Sequence, residues 1–376
     1  MQTATPTAFR RVTKRRPCLI CGKPDWCIYL RDESLSVCMR VADGAYKVNR
    51  HGGAIHLHTG GRQSLFPIAR ALYQRAPEPQ APMAPIEVRD HVYRSLIRLS
   101  PATRYHGALI SGPKGLLDRG MSSDRFDRYG GLPASWEDRE SLCRQILQEI
   151  NEGHYTSDPL RGVPGFWKDA RGYHLWKETD YQAPRLLIPV RDVRARIQAC
   201  QMRAPVLTKG SFRYCWLSSS GLPHGTGSGS PLHFNFDPLK LPDDATVVIV
   251  EGALKADVLS ALRPELYIVA NAGVSANHAA LINLTKRRRV IIGFDQDYHY
   301  NEVVCLRLAA LIARRMESER TLTTTHIAAW DREVKGIDDA ALRNLPIIAI
   351  SVEDWFNRLS QDFRRKVAPV LSQAQK

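Results

Sequence analysis

The sequence predicts an α/β domain with a mostly parallel sheet, preceded by a basic lobe of mixed α+β structure and a small metal-binding module. Three observations carry this. From Asp243 onward, short β-branched runs alternate with helical periods, the pattern of strands joined by crossover helices. Between residues 88 and 242 helical periodicity gives way to short strands. Four of the eight cysteines fall between Cys18 and Cys38, a density that in a reducing compartment reads as metal ligands.

At 376 residues the chain is long enough for two or three domains. No apolar run reaches the length that spans a bilayer, and the Arg- and Lys-rich stretch from Arg10 to Arg16 lacks the apolar core of a signal peptide. The expectation is a soluble, cytoplasmic protein with no membrane partner. A formal charge of +15, from 53 Lys+Arg against 38 Asp+Glu, exceeds what a small acidic substrate requires and makes nucleic acid the expected partner.

Residues 1–16 read as a mobile basic tail and, with the zinc-binding stretch, form a first unit over 1–73. Cys18-x2-Cys21-Gly is a zinc knuckle, whose tight turn aims two thiolates at one ion. A hairpin turning at Asp32-Glu33 would make Cys27 and Cys38 cross-strand partners, closing a site of four thiolates. His56 is the competing fourth ligand, and free thiols in a small core are the alternative to any site. Residues 62–74 read as a short helix, and Pro77, Pro79, Pro82 and Pro85 mark a linker over 74–87.

The lobe over 88–242 opens with helical periodicity at Val88, Val92, Leu96 and Leu99. One helix is expected to end at Gly120 with another beginning there, and a third spans 137–151. Residues 165–177 interleave aromatics with cations around an Arg171-Gly172 turn, which suits stacking on unpaired bases or a hairpin with an aromatic core. Strands are expected at 186–192, 197–203 and 213–218. The Gly/Ser-rich stretch from Ser218 to Ser230 is either a phosphate cradle or a flexible surface loop.

In the α/β domain, over 243–350, strands at 246–250, 266–270, 289–294 and 325–330 alternate with helices at 253–262, 275–285 and 301–316. An amphipathic helix near 352–367, within the last unit over 351–376, carries Trp355, Phe356, Leu359 and Phe363 on one side. Glu251 closes the first strand, and Asp295 and Asp297 close the third. Ligands bind at the carboxyl edge of a parallel sheet, and neighbouring strands can bring these acids together there. Such a cluster repels itself unless a cation sits in it, and hard oxygen donors suit Mg²⁺ or Mn²⁺. The alternative is that each acid caps the helix that follows it.

Glu251-Gly, Asp295-Gln-Asp297 and Lys335-Gly-Ile-Asp-Asp339 resemble the motifs of the TOPRIM domain, shared by DnaG-type primases, topoisomerases and some nucleases. Leu187-Ile-Pro-Val-Arg-Asp192, Gln201-Met-Arg203 and Arg213-Tyr-Cys-Trp-Leu-Ser218 resemble the basic lobe of primases, and a zinc ribbon precedes both. The resemblance covers most of 17–345 and is nearest to the primase-like proteins of phages, plasmids and integrated elements. It implies a TOPRIM-like fold, catalytic Mg²⁺ or Mn²⁺ on Glu251, Asp295 and Asp297, and a contribution from Asp338 or Asp339. It also implies template or nucleotide contacts at Arg203 and Arg213. Lys209 lies in the same basic stretch, and Lys255 stands where primases carry an acid, which suits a phosphate contact. Asp257 cannot take that place, because two positions on a helix turn the side chain about 200° away. The second Cys-x2-Cys pair of primase ribbons is missing, with Val41 at the matching spacing, and a helicase-binding domain is not expected after residue 350.

The activity implied is synthesis of short RNA primers on single-stranded DNA from ribonucleoside triphosphates, with a separately encoded replicative helicase as a candidate partner. The alternatives are a TOPRIM nuclease and a catalytically silent DNA-binding accessory of mobile-element replication.

Overall fold

The computed structural model describes residues 9–31, 33–41, 45–48, 53–58, 80–152, 158–207, 213–274, 276–319 and 324–373. The helix expected over 62–74, the first prolines of the linker and Lys209 lie outside the described residues.

The N-terminal module is an antiparallel sheet of β1 (Phe9–Arg11), β2 (Ile28–Leu30), β3 (Leu35–Cys38), β4 (Lys47–Val48) and β5 (Ala54–Leu57), in the order β1-β2-β3-β5-β4. Two small cores hold it. One is Leu30, Leu35, Val37 and Ile55, and the other surrounds the four cysteines. Residues 9–16 are not the mobile tail expected of them. β1 pairs with β2, and the Arg16 guanidinium lies 4.8 Å from the Tyr29 ring centre.

The last part of the linker is docked. The Ala81 and Ala84 N–H groups donate to the carbonyls of Gly225 and Gly162. From Pro85 the chain enters α1 (Ile86–Leu99), which buries Val92, Tyr93, Leu96 and Ile97. No α-helix flanks Gly120. Short 3₁₀ and π turns run from Ala102 to Ile110, and another 3₁₀ turn covers Ser123–Arg128. Gly120 itself has φ +75°, and a Cβ there would lie 2.5 Å from Leu342 Cδ1, so the glycine serves both a left-handed turn and a close approach.

The lobe sheet runs β11-β10-β9-β6, all antiparallel, from β6 (Gly130–Leu132), β9 (Arg185–Arg191), β10 (Ile197–Arg203) and β11 (Tyr214–Trp216). α1 and α2 (Trp136–Glu152) cover one face through Leu96, Ile146 and Leu187. The other face presents Leu186, Ile188 and Val190 to the next domain. Burial on both faces is why β9 reads as a continuous apolar run. The hairpin of β7 (Phe166–Asp169) and β8 (Gly172–Leu175) has an aromatic core. Phe166, Trp167 and Trp176 are buried and His174 lies against Trp167, so these rings are not a stacking platform. The Ser218–Ser230 stretch is neither cradle nor flexible loop. Ser219, Thr226 and Ser228 are buried, and Ser219 and Thr226 bond one another.

The third sheet runs β12-β14-β13-β15-β16-β17. Its strands are β12 (His233–Phe234), β13 (Thr246–Glu251), β14 (Tyr267–Asn271), β15 (Arg289–Gly293), β16 (Thr325–Ala329) and β17 (Ile348–Ser351). The inner four are parallel, and the two edge strands are antiparallel. α3 (Ala253–Leu262) and α6 (Ile337–Leu342) cover one face. α4 (His278–Leu284) and α5 (Glu302–Glu319) cover the other. The single C-terminal helix expected near 352–367 is two, α7 (Val352–Arg358) and α8 (Gln361–Gln373). Leu359 is extended, and Ser360 Oγ accepts from the Phe363 N–H, so a serine cap starts a new helix.

Lobe and sheet domain meet around Asp257 on α3. Tyr129 Oη donates to Asp257 Oδ2 at 2.8 Å, His233 Nε2 lies 3.2 Å from Oδ1, and Arg191 Nη1 lies 3.6 Å from Oδ2. Burial raises the Asp257 pKa, but His233 and Arg191 outweigh it and hold the carboxyl at about 2. A carboxyl below its unfolded value of about 3.9 stabilises the fold above that value and loses the contribution as pH falls towards 2. Asp257→Asn should therefore cost on the order of 2 kcal/mol at neutral pH. In denaturant unfolding, the gap between wild type and variant should close as pH falls from about 4 to 2. A gap independent of pH would refute the assignment.

Candidate active site

β13 ends at Glu251, and Gly252, at φ +94°, turns the chain directly into α3. β15 ends at Gly293, where a Cβ would meet Ile337 Cδ1 at 2.8 Å, and Asp295 follows at the head of a 3₁₀ turn over Gln296–His299. Asp295 makes no side-chain capping hydrogen bond, and the cap position of α3 is held by Gly252, not by Glu251. Helix capping is thus not what Asp295 and Glu251 do. Gln296 donates from its backbone to Lys335 O and from Nε2 to Trp330 O, which ties the loop after β15 to the loop before α6. That tie brings Asp338 and Asp339, on the first turn of α6, to the same edge.

The acids meet cations there. Lys23 of the N-terminal module places Nζ 2.8 Å from Glu251 Oε1 and 3.8 Å from Asp297 Oδ2. Lys255 pairs with Asp295. Lys335 Nζ lies 3.5 Å from Asp297 and 3.6 Å from Asp295, and Arg119 Nη2 donates to Asp338 Oδ2 at 2.6 Å. Burial by itself would lower the Lys23 ammonium, but Glu251, Asp297 and Asp295 raise it above the ordinary lysine value. Burial likewise opposes the Lys255 ammonium and is outweighed by Asp295 and Asp338, so both stay charged. Burial raises the Asp295 carboxyl, and Lys255, Lys23 and Lys335 together bring it below its ordinary value. Asp339 moves the other way, raised by burial and by Asp338.

The sequence places Glu251, Asp295 and Asp297 at one edge, and the resemblance adds Asp338 or Asp339; in the structure all five lie there. Among the described residues, the four thiols are the one group of three or more whose metal-ligating atoms all lie within 4.8 Å of one another. Lysines stand between the carboxylates instead. Lys255 is buried on Asp295 rather than held out for a phosphate. Two acceptors remain open: Asp297 Oδ1 and Asp338 Oδ1 are buried with no hydrogen-bond partner among the described residues. Buried lone pairs of this kind, in a set of five carboxylates facing four cations, fit a hard divalent ion.

Arg203, at the end of β10, is buried with its guanidinium 5.9 Å from the Tyr214 ring centre. Burial lowers its pKa, as do Arg119 and Arg213 nearby. Arg213 is partly exposed. Arg119, the partner of Asp338, is thus a neighbour of Arg203. Lys23, Arg119 and Lys335 are the members that sequence reasoning missed. The Lys-Gly of the 335–339 motif could have flagged Lys335, whereas nothing local marks Arg119.

The four cysteines form a second centre. Sγ of Cys21 and Cys27 are 3.6 Å apart and those of Cys27 and Cys38 3.8 Å, close to the roughly 3.8 Å edge of a tetrahedron with 2.3 Å Zn–S bonds. Cys18 Sγ accepts from Ile20 N–H and Cys27 Sγ from Met39 N–H, both at 3.4 Å. The Arg40 guanidinium, 3.7 Å from Cys21 Sγ, adds compensating charge. His56 is not the fourth ligand, because its Nε2 donates to Val41 O at 2.9 Å. The cluster fits a structural zinc ion.

A cavity lies elsewhere. A groove of about 980 Å³ runs between lobe and sheet domain, lined by Arg94, Arg98, Arg125, Arg128, Arg191 and Arg194, with Phe234 and Phe236 on the opposite wall. It reaches Ser260, roughly 10 Å along α3 from the end that faces the carboxylates. No helix among the described residues is long and apolar enough to cross a membrane.

No protein-family model matches the sequence, and no curated protein matches it. Solved structures similar in fold include the RNA polymerase domain of the Mycobacterium tuberculosis primase DnaG, at 15% identity over 78% of this chain and 95% of that one, with a TM-score of 0.49. A DnaG primase catalytic domain bound to single-stranded DNA is 18% identical over 77% of this chain and 95% of that one, with a TM-score of 0.45. The zinc-binding and RNA polymerase domains of the Aquifex aeolicus primase are 14% identical over 100% of this chain and 87% of that one, again with a TM-score of 0.45. All three are structures of primases.

Proposed function

We propose that this chain is a metal-dependent primase that joins ribonucleotides into short RNA primers on a single-stranded DNA template. The observation that carries the reading is the gathering of Glu251, Asp295, Asp297, Asp338 and Asp339 at one sheet edge, with Arg119 on Asp338 and Arg203 next to Arg119. Glu251, Asp295 and Asp297 would hold Mg²⁺ or Mn²⁺, with Asp338 or Asp339 at a second position. When bound, such ions activate a primer 3′-hydroxyl and stabilise the leaving pyrophosphate. Arg203 and Arg213 bring positive charge to where nucleotide phosphates would lie. Lys255 keeps Asp295 ionised and fixed in place. The arginine groove suits the phosphate backbone of a template, and Phe234 and Phe236 suit its bases. A separately encoded helicase would deliver the chain to unwound DNA. The lysines between the carboxylates favour a second reading, a catalytically silent DNA-binding accessory, and the experiments below separate the two.

Labelled ribonucleotide incorporation on a circular single-stranded template tests the activity. Asp297→Asn should reduce it by about two orders of magnitude or more, because that carboxylate offers an open lone pair to the metal. DNA affinity should persist. A variant that extends primers at the wild-type rate would remove the catalytic assignment, and a wild type that makes no primers would favour the silent accessory. Asp295→Asn should also lower metal-free stability, by about 3 kcal/mol, since it strands the buried Lys255 ammonium.

Zinc content should be near one per chain and should fall in Cys18→Ser, with loss of the N-terminal module's fold. Native folding without metal would exclude a structural role. For DNA binding, log K should fall with log[salt] at about −0.7 per phosphate neutralised. Arg213→Ala and Arg128→Ala should each weaken binding and flatten that slope. Affinity indifferent to salt would exclude a nucleic-acid groove.

A further inference from the structure

The zinc knuckle is inserted among the carboxylates. Gly22 lies so close to α5 that a Cβ would meet Val304 Cγ2 at 2.9 Å. Its carbonyl accepts from Asn301 Nδ2 at 2.8 Å, and the Ile20 carbonyl accepts from Arg307 Nε at 2.8 Å. Trp26 packs into the core shared by the lobe and α3. Lys23 follows Gly22, and the knuckle turn itself holds its backbone. Cys18 N–H donates to Lys23 O at 2.9 Å, and Gly22 N–H donates to Cys18 O at 2.8 Å. The turn that gathers the thiols therefore also aims the Lys23 ammonium.

Lys23 Nζ lies 2.8 and 3.1 Å from the two oxygens of Glu251 and 3.8 Å from Asp297 Oδ2. An ion bridging Glu251 and Asp297 would need this same space. Mg²⁺ sits about 2.1 Å from its oxygen ligands, so on these oxygens it would stand within a few ångströms of the buried Lys23 ammonium, where two like charges repel strongly. Charge agrees with geometry. With Lys23 docked, the five carboxylates exceed the four cations by one charge, and with Lys23 withdrawn they exceed three cations by two, the charge of one divalent ion.

We infer that docking of the zinc knuckle and binding of a divalent cation at Glu251 and Asp297 exclude one another, so that Lys23 is a tethered inhibitor of the site. The inference rests on the metal-site reading given above. The module must lift away before the site is loaded. By linkage, an ion at the carboxylates weakens docking as much as docking weakens the ion. Zinc enters the same balance, because the turn that it closes shapes the segment that carries Lys23.

Titration of Mn²⁺ into the zinc-loaded full chain, followed by electron paramagnetic resonance without DNA or nucleotide, tests this. Lys23→Gln should bind Mn²⁺ about tenfold more tightly than wild type, or better, because a cation is removed from the site. Lys23→Arg should stay weak. Arg307→Ala loosens docking without touching a carboxylate, so it should also bind more tightly, and it serves as the test if Lys23→Gln misfolds. In wild type, Mn²⁺ should increase hydrogen exchange at residues 18–24. Equal Mn²⁺ affinity in wild type, Lys23→Gln and Arg307→Ala overturns the exclusion and leaves the metal site standing. Absence of Mn²⁺ binding in every variant overturns both.

Discussion

Five carboxylates at one sheet edge cannot sit in a low-dielectric environment without compensation, and the molecule is arranged around supplying it. Each of its three parts sends a cation to that edge. The N-terminal module sends Lys23, the lobe sends Arg119, and the sheet domain sends Lys255 and Lys335. The charges also fix geometry. Arg119 draws the turn before Gly120 onto α6, and Lys23 draws the knuckle onto the end of β13 and the turn after β15. Compensation is incomplete at Asp297 Oδ1 and Asp338 Oδ1, which are buried with no hydrogen-bond partner among the described residues.

α3 links this edge to the rest of the molecule. Lys255 and Asp257 are two positions apart and so point in nearly opposite directions. Lys255 faces the carboxylates, while Asp257 faces the lobe and joins Tyr129, His233 and Arg191. The same helix therefore neutralises the site at one end and fastens the lobe along its side. The arginine groove lies along that fastening.

Much of the sheet domain was legible in the sequence because its strands are short, buried on both faces and β-branched. The runs ending at Glu251 and at the Gly293–Asp295 turn carry their own boundaries. The knuckle at Cys18 and Cys21 was legible for a similar reason, since its spacing is local. Errors came where a local pattern admitted two readings. A single C-terminal helix follows from an apolar stripe, yet Ser360 offers a capping oxygen that restarts the helix. The aromatics of 165–177 suit a base-stacking surface or a core equally well, and only burial distinguishes them.

The sequence by itself determined the order of the parts, the four parallel strands of the sheet domain with the helices between them, and which acids stand at strand ends, but not the antiparallel edge strands β12 and β17. These follow from periodicity and from residue types a few positions apart. Tertiary structure alone decided what meets those acids. Lys23 lies 228 positions from Glu251, and Arg119 lies 219 from Asp338, and no pattern along the chain encodes pairs so distant. It also decided between Cys27 and His56, because the Val41 carbonyl occupies the histidine while the thiols converge. A lysine between carboxylates looks in sequence like any surface charge, and its partners become visible only once folding removes the water between them.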